Sequence, residues 1–157
     1  MKQHRYHARV VWTGDDGEGT KTYRSYRREH TIDVEGKPQI LGSADRAFRG
    51  DPARYNPEDL LVASLSACHM LTYLHLCAVN GIVVVAYSDD ASGEMEERDD
   101  GSGTFVSARL QPTVTIAAGD REKAIALHAD AHHKCFVANS VNFPVEVAPA
   151  VSHAGAG

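Results

Sequence analysis

Cysteine and aromatic residues are scarce in this chain. Of 157 residues, three are cysteine, four are phenylalanine and one is tryptophan. Cys68, Cys77 and Cys135 are odd in number and widely spaced, so they do not form the framework of a disulfide-stapled secreted domain. No Cys-x-x-Cys pair and no His-Glu-x-x-His run occurs, which removes the common zinc signatures. A phosphate-cradling loop is missing, since "GEGTK" belongs to a turn and lacks the full P-loop spacing. "SLSAC" is not a Gly-x-Ser-x-Gly nucleophile elbow either. Positive charge is short as well: 16 basic against 21 acidic residues give a net charge of −5, without the basic footprint of a nucleic-acid binder. The opening "MKQHRYHARVVW" has no apolar core, so no secretory signal is expected and a reducing cytoplasm is the expected compartment. With no repeat, no linker and ordinary glycine and proline content, the expectation is one domain over residues 1–157.

What is present starts with "LLVASLSACHMLTYLHLCAV", residues 60 to 79, which carry no formal charge. The length would span a bilayer. Ser64, Ser66, His69, Thr72, Tyr73 and His75 are scattered through it, however, and a lipid-facing helix disfavours them. The stretch reads as a buried central helix with no membrane partner. Asn56 suits the N-cap, Pro57 the first helical position and Asp59 the third, while Asn80-Gly81 is the stop. Apolar residues fall on every face, which predicts burial all round.

Strands flank this helix. "HARVVWTG" alternates with Ala8, Val10 and Trp12 on one side, and "YRSYRREHTIDVEG" reads as its returning partner across "GDDGEGTKT". "KPQILG" adds a short strand, and "SADRAFRGDPARY" reads as a loop. After the helix come "IVVVAYSD", then "GEMEER" paired with "TFVSARLQPTVTI" across "DDGSG". A second helix starts near Asp120 and runs through "REKAIALHADAHHK". "NFPVEVAPAV" is the last strand, and residues 151–157 are expected to be a flexible tail. The order predicts an α+β fold with mainly antiparallel sheets. One sheet cannot cover a helix of about 23 residues without a polar face, so a second copy of the chain is expected to cover it in a homodimer.

Nine residues turn an ideal helix through about 900°, so Cys68 and Cys77 point to opposite faces and cannot pair within it. Cys77 lies in apolar "LHLCAV", where a thiol packs as a small, inert hydrophobe. Cys68 has the same bland reading beside a redox one. Cys135 closes the second helix next to His132, His133 and Lys134; cations favour its thiolate and the helix C-terminus opposes it. Glu58 sits where acids are favoured in any helix, and Arg46, Arg49 and Arg54 are loop arginines. Peroxide reduction gives these residue types a joint purpose. A thiolate attacks the O–O bond, a cation steadies thiolate and leaving oxygen, and an acid holds the cation. His128 and His132 have an i, i+4 metal-ligand spacing, but Cys68, His69, Cys135 and His132 come from scattered segments without a recognised pattern; no metal is expected.

"NPEDLLVASLSACHMLTYL" resembles the signature helix of the OsmC/Ohr family of thiol-dependent hydroperoxide reductases, with an Asn-Pro-Glu start and a ten-residue step to cysteine. "AHHKCFVANSV" resembles that family's second-cysteine segment, although Phe136 stands where the family often has proline. The resemblance covers roughly residues 6 to 150 and points to an OsmC-like branch with an OsmC-like fold. It implies that Cys68 is the peroxidatic cysteine and Cys135 the resolving one, joined during turnover by a disulfide. It implies that Glu58 fixes an arginine, Arg49 first and Arg54 or Arg28 as alternatives. It also implies an intertwined homodimer, organic hydroperoxide substrates whose apolar tails meet Leu61, Met70 and Phe136, and a lipoyl protein or thioredoxin-like dithiol as reductant. Such chemistry needs no metal, haem or flavin, so no cofactor is expected. The competing expectation is a dimer that binds small molecules or senses redox state without turnover.

Overall fold

In the computed structural model, which describes residues 1–155, the alternating "RVVW" forms β1 (Arg9–Trp12). It pairs antiparallel with β2 (His30–Asp33), and β2 with β3 (Ile40–Gly42), in the order β1-β2-β3. The returning strand is only the end of the stretch expected; the residues before it wind as turns. In those turns Asp15 accepts from the backbone N–H groups of Gly17 and Gly19, satisfying donors that a ladder would otherwise take. Val10 and Trp12, which share one side of the strand, are 64% and 45% exposed. Trp12 is held by its ring N–H, which donates to the Arg27 carbonyl at 2.9 Å.

The arginine-bearing loop contains a 3₁₀ turn, Arg46–Phe48, capped by the Asp45 carboxylate on the Ala47 N–H at 2.7 Å. Arg49 closes it with φ 64°, a left-handed conformation that costs a non-glycine residue roughly 1–2 kcal/mol. Gly50 follows at a point where no side chain fits, since a Cβ there would stand 1.6 Å from the Ala44 carbonyl oxygen.

Helix α1 (Pro57–Val79) begins and ends where the sequence places it. The Asn56 side chain accepts from the Asp59 N–H at 2.7 Å, and the Asp59 carboxylate accepts from the Asn56 N–H at 3.4 Å, a reciprocal cap of the kind that satisfies orphan donors. Gly81, at φ 73°, lets the Ile82 N–H return to the Cys77 carbonyl at 3.0 Å. Burial is confined to one stripe, Leu65, His69, Tyr73, Leu76 and Cys77, while Leu71 and Val79 are 64% exposed. A single chain therefore covers one face of the helix, not all of it. Length and composition alone would let α1 cross a membrane, but its buried stripe carries two ring side chains hydrogen-bonded inside the fold.

The chain divides into two compact units, Met1–Leu61 and Val62 onward. The second contains β4 (Val83–Asp89), β5 (Ser92–Glu97), β6 (Gly103–Leu110), β7 (Pro112–Ala118), α2 (Arg121–Lys134), β8 (Val145–Val147) and β9 (Ala150–His153). Two mixed three-stranded sheets result. In β4-β7-β9, β7 is antiparallel to β4 and parallel to β9; in β5-β6-β8, β6 is antiparallel to β5 and parallel to β8. Two stretches read as single strands, "TFVSARLQPTVTI" and "NFPVEVAPAV", each break in two and pass from one sheet to the other. Pro112 and Pro149 stand at the breaks, where proline removes a ladder donor. The Gln111 N–H leaves the ladder too, donating to the Asp89 carboxylate at 2.6 Å. The segment expected as a tail from 151 begins inside β9, paired with β7; residues 156 and 157 lie outside the described residues.

Two apolar clusters hold this unit. One joins Tyr73, Leu76 and Cys77 of α1 to Val114 and Ile116 of β7, Val151 of β9, and Ala124, Leu127 and Ala131 of α2. The other sets Leu65 against Ala108 and Leu110 of β6, with Phe143, Val145 and Val147 packed on it.

The Gly50 contact is testable. Gly50→Ala must displace backbone and is expected to lower the urea-unfolding free energy by roughly 2–3 kcal/mol. Gly36→Ala, with φ 76° but open space around the new methyl, should lose only about 1 kcal/mol.

Candidate functional site

Cys68 and Cys135 meet because two helices present them differently. Cys68 flanks the buried stripe of α1 and is half-buried; Cys135 is the C-cap of α2 and is 1% exposed. At Cys135 the backbone leaves the helix for an extended conformation (φ −69°, ψ 116°) and then makes a short 3₁₀ turn, Ala138–Ser140. That turn aims the Ala138 N–H at the Cys135 Sγ at 3.5 Å. "ANS" supplies its own locks: the Asn139 amide donates to the His133 carbonyl, and the Ser140 hydroxyl to the Phe136 carbonyl. The Cys135 thiol neighbours that of Cys68, near enough to raise its pKa, and both are unbridged. Burial first, and Cys68 beside it, push Cys135 up to about 11, against a smaller lowering by the Ala138 and Val137 N–H groups. A thiol so placed stays protonated at neutral pH.

A ring cluster continues inward from the thiols. His69 Nε2 and His128 Nδ1 are 3.0 Å apart, and the two residues are 0% and 2% exposed. Tyr73 stacks on His128 with ring centroids 3.8 Å apart and planes 11° from parallel. Its hydroxyl donates to the Ala124 carbonyl at 3.0 Å. Burial pushes His69 down to about 4, helped by His132 and opposed by Asp89, and pushes His128 down to about 3, with His69 adding to it. Both imidazoles are therefore neutral at pH 7. Burial likewise raises Tyr73, Tyr87 and Cys77, with the Tyr73 hydroxyl moderating Cys77.

The remaining residues expected at the site are placed as follows. Glu58 and Arg28 line one cleft of about 290 Å³ in the first unit, with His30, Asp45, Phe48 and Pro57 among its walls. The Arg28 guanidinium donates to the Tyr26 and Tyr23 carbonyls and lies over both tyrosine rings. Arg49 is exposed; its backbone N–H donates to the Arg46 carbonyl at 3.1 Å, and its side chain makes no hydrogen bond or ion pair among the described residues. Arg54 pairs with Asp51 at 3.8 Å but keeps Nη1 buried without a partner. Met70 is half-buried on α1, Leu61 is half-buried at the end of the first unit, and Phe136 is 81% exposed. Among the described residues no three His, Cys, Asp or Glu side chains group as they would around a metal ion. The i, i+4 spacing puts His128 with His132; the structure instead sets His128 against His69, a pairing across 59 residues that no local spacing signals.

Comparison with known proteins places this geometry in a family. A family model described as OsmC-like protein matches residues 50–149, and the chain belongs to that family. An OsmC-like protein of unknown function from Vibrio cholerae is 30% identical, with a TM-score of 0.81 over 96% of this chain and 100% of that one. An organic hydroperoxide resistance protein OsmC from Legionella pneumophila shares the fold at 20% identity, TM-score 0.70, covering 97% and 99%. One from Elizabethkingia anophelis does so at 19% identity, TM-score 0.67, covering 97% and 99%. No match to a curated protein is found.

The neutral imidazole pair predicts a pH dependence. Both groups titrate lower in the folded than in the unfolded state, so unfolded chains bind more protons between about pH 3 and 6.5, and stability rises with pH across that window. Urea-unfolding free energy is expected to fall steadily from pH 7 to pH 4.5. His128→Asn, which cannot take up that proton, should flatten the slope.

Proposed function

We propose that the protein reduces organic hydroperoxides to alcohols through a two-cysteine cycle. The observation that carries this reading is that two free thiols 67 residues apart (135 − 68) are brought side by side, one half-exposed and one buried. Cys68 attacks the peroxide O–O bond as a thiolate; the alkoxide leaves as the alcohol and Cys68 becomes a sulfenic acid. Cys135 then attacks that sulfur, the hydroxyl leaves as water with the thiol's proton, and a Cys68–Cys135 disulfide forms. An external dithiol, a lipoyl or thioredoxin-like protein, returns both thiols. Cys135 suits the resolving role because burial keeps it protonated and shielded until its neighbour is oxidised.

Glu58 and an arginine join the proposal on chemical grounds, as acid and cation for the reacting sulfur. Arg49 is the first candidate, and its left-handed backbone, a conformation that tends to occur at functional positions, supports it. Arg28, which lines a cleft with Glu58, is the alternative. Met70, Leu61 and Phe136 supply apolar surface for an alkyl tail. A homodimer is part of the same reading. Leu71, Val79, Val83 and Val85 expose 50–64% of their surface on α1 and β4, and Phe136 exposes 81%, an apolar display that supports association with a second copy.

Reduced protein given one equivalent of cumene hydroperoxide is expected to lose two hydrogens, mapped by mass spectrometry to a Cys68–Cys135 bridge. Cys68→Ser abolishes this, and Cys135→Ser stops at the sulfenic acid after one turnover. Arg49→Lys slows peroxide consumption at least tenfold if Arg49 is the cation; slowing by Arg28→Lys instead assigns the role to Arg28. Three thiols still alkylatable after peroxide would sink the peroxidase reading.

The dimer has its own check. Sedimentation should give twice the chain mass for the native protein, and Leu71→Glu should shift it toward one chain mass.

A further inference from the structure

Two side-chain pairs and one side-chain-to-backbone hydrogen bond link α1 to α2 and its C-cap. Cys68 meets Cys135, His69 meets His128, and Tyr73 reaches the Ala124 carbonyl. On α1 the order runs 68, 69, 73; on α2 it runs back through 135, 128, 124. His69 is the chain neighbour of Cys68, and His128 lies two helical turns before Cys135 on the buried face that includes Ala124, Leu127, His128 and Ala131. Any slide or rotation that parts the imidazoles therefore moves the sulfurs as well.

The imidazole pair is an unusual choice for packing alone. Four ring nitrogens are buried for one hydrogen bond, and His69 Nδ1 and His128 Nε2 have no partner among the described residues. A leucine pair would fill space without stranding polar atoms. The bond is also directional. With both rings neutral, one nitrogen donates and the other accepts, so the rings hold one distance and one plane, and Tyr73 stacked on His128 fixes that plane.

We propose that His69 and His128 are positioning residues for the dithiol: their hydrogen bond sets α1 against α2 so that the Cys68 and Cys135 sulfurs stay within bonding reach. This rests on the reading of the two thiols as a redox pair. The step it serves is balanced by an external disulfide. Two thiols give up two electrons and two protons, the Cys68–Cys135 bond forms, and the S–S bond of the oxidant breaks to two thiols.

The test is a redox titration of the full-length protein in mixtures of oxidised and reduced dithiothreitol, read by thiol alkylation and mass. Side-chain reach separates positioning from polarity. A Gln amide places its terminal atoms where His69 uses Nε2, whereas an Asn amide stops short; at 128, where Nδ1 is used, Asn reaches and Gln is misplaced. His69→Gln and His128→Asn should keep the disulfide equilibrium within about twofold of the native protein. His69→Asn and His128→Gln should weaken it roughly tenfold, raising the potential by about 30 mV. Urea unfolding of each reduced variant shows whether potential follows reach or mere loss of stability, and if one short-reach variant does not fold, the other supplies the comparison. Equal potentials in all four variants, or potentials that follow stability alone, would overturn the positioning role while leaving the redox pair intact. A native protein that never forms the Cys68–Cys135 bridge in this buffer overturns the redox-pair reading itself and the positioning role with it.

Discussion

An imidazole taken out of water must stay neutral and find a partner, and α1 carries both His69 and Tyr73 in the only stripe it buries. That requirement constrains the second unit more than its apolar contacts do. Leucine and alanine tolerate many offsets between two helices; a 3.0 Å ring-to-ring bond and a tyrosine hydroxyl on a fixed carbonyl tolerate few. Around these polar rungs the apolar cluster of β7, β9 and α2 closes, removing water and driving both histidines to neutrality. Cohesion and orientation thus come from different residues within one core.

The thiols take their contrast from the same arrangement. Cys68 flanks the buried stripe and stays half-open, whereas Cys135 sits where α2 ends, a place that favours cations over thiolates. Burial and the adjacent thiol keep it protonated. In a peroxide cycle the open sulfur reacts first and the closed one waits. The exposed apolar side of α1 fits the proposed second copy of the chain.

Features governed by neighbours in sequence were legible in advance. The Asn56–Asp59 cap, the Gly81 stop and the Asp120 start of α2 all involve groups within a turn or two, and each is formed. The Asn-Pro-Glu start with its ten-residue step to cysteine carried the family. Strand continuity was less legible. Hydrophobic alternation runs unbroken through Gln111–Pro112, yet the chain changes sheet there, because a proline and a carboxylate take the backbone out of the ladder. Which face of α1 a single chain buries was not legible, for a related reason. Composition reports that every face is apolar, but it does not report which face one chain can cover.

The amino-acid order by itself determined where helices begin and end, which fold family forms, and which residue types are available for thiol chemistry, since those depend on local hydrogen bonding and on motif spacing. Only the tertiary structure decided that Cys68 faces Cys135, that His69 pairs with His128 in preference to any i, i+4 partner, and that Cys77 is left to packing beside Tyr73. Those outcomes depend on how far apart two helices lie and which way each is turned. Burial sets both quantities, by summing weak contacts over the whole unit, and no short stretch of sequence contains that sum.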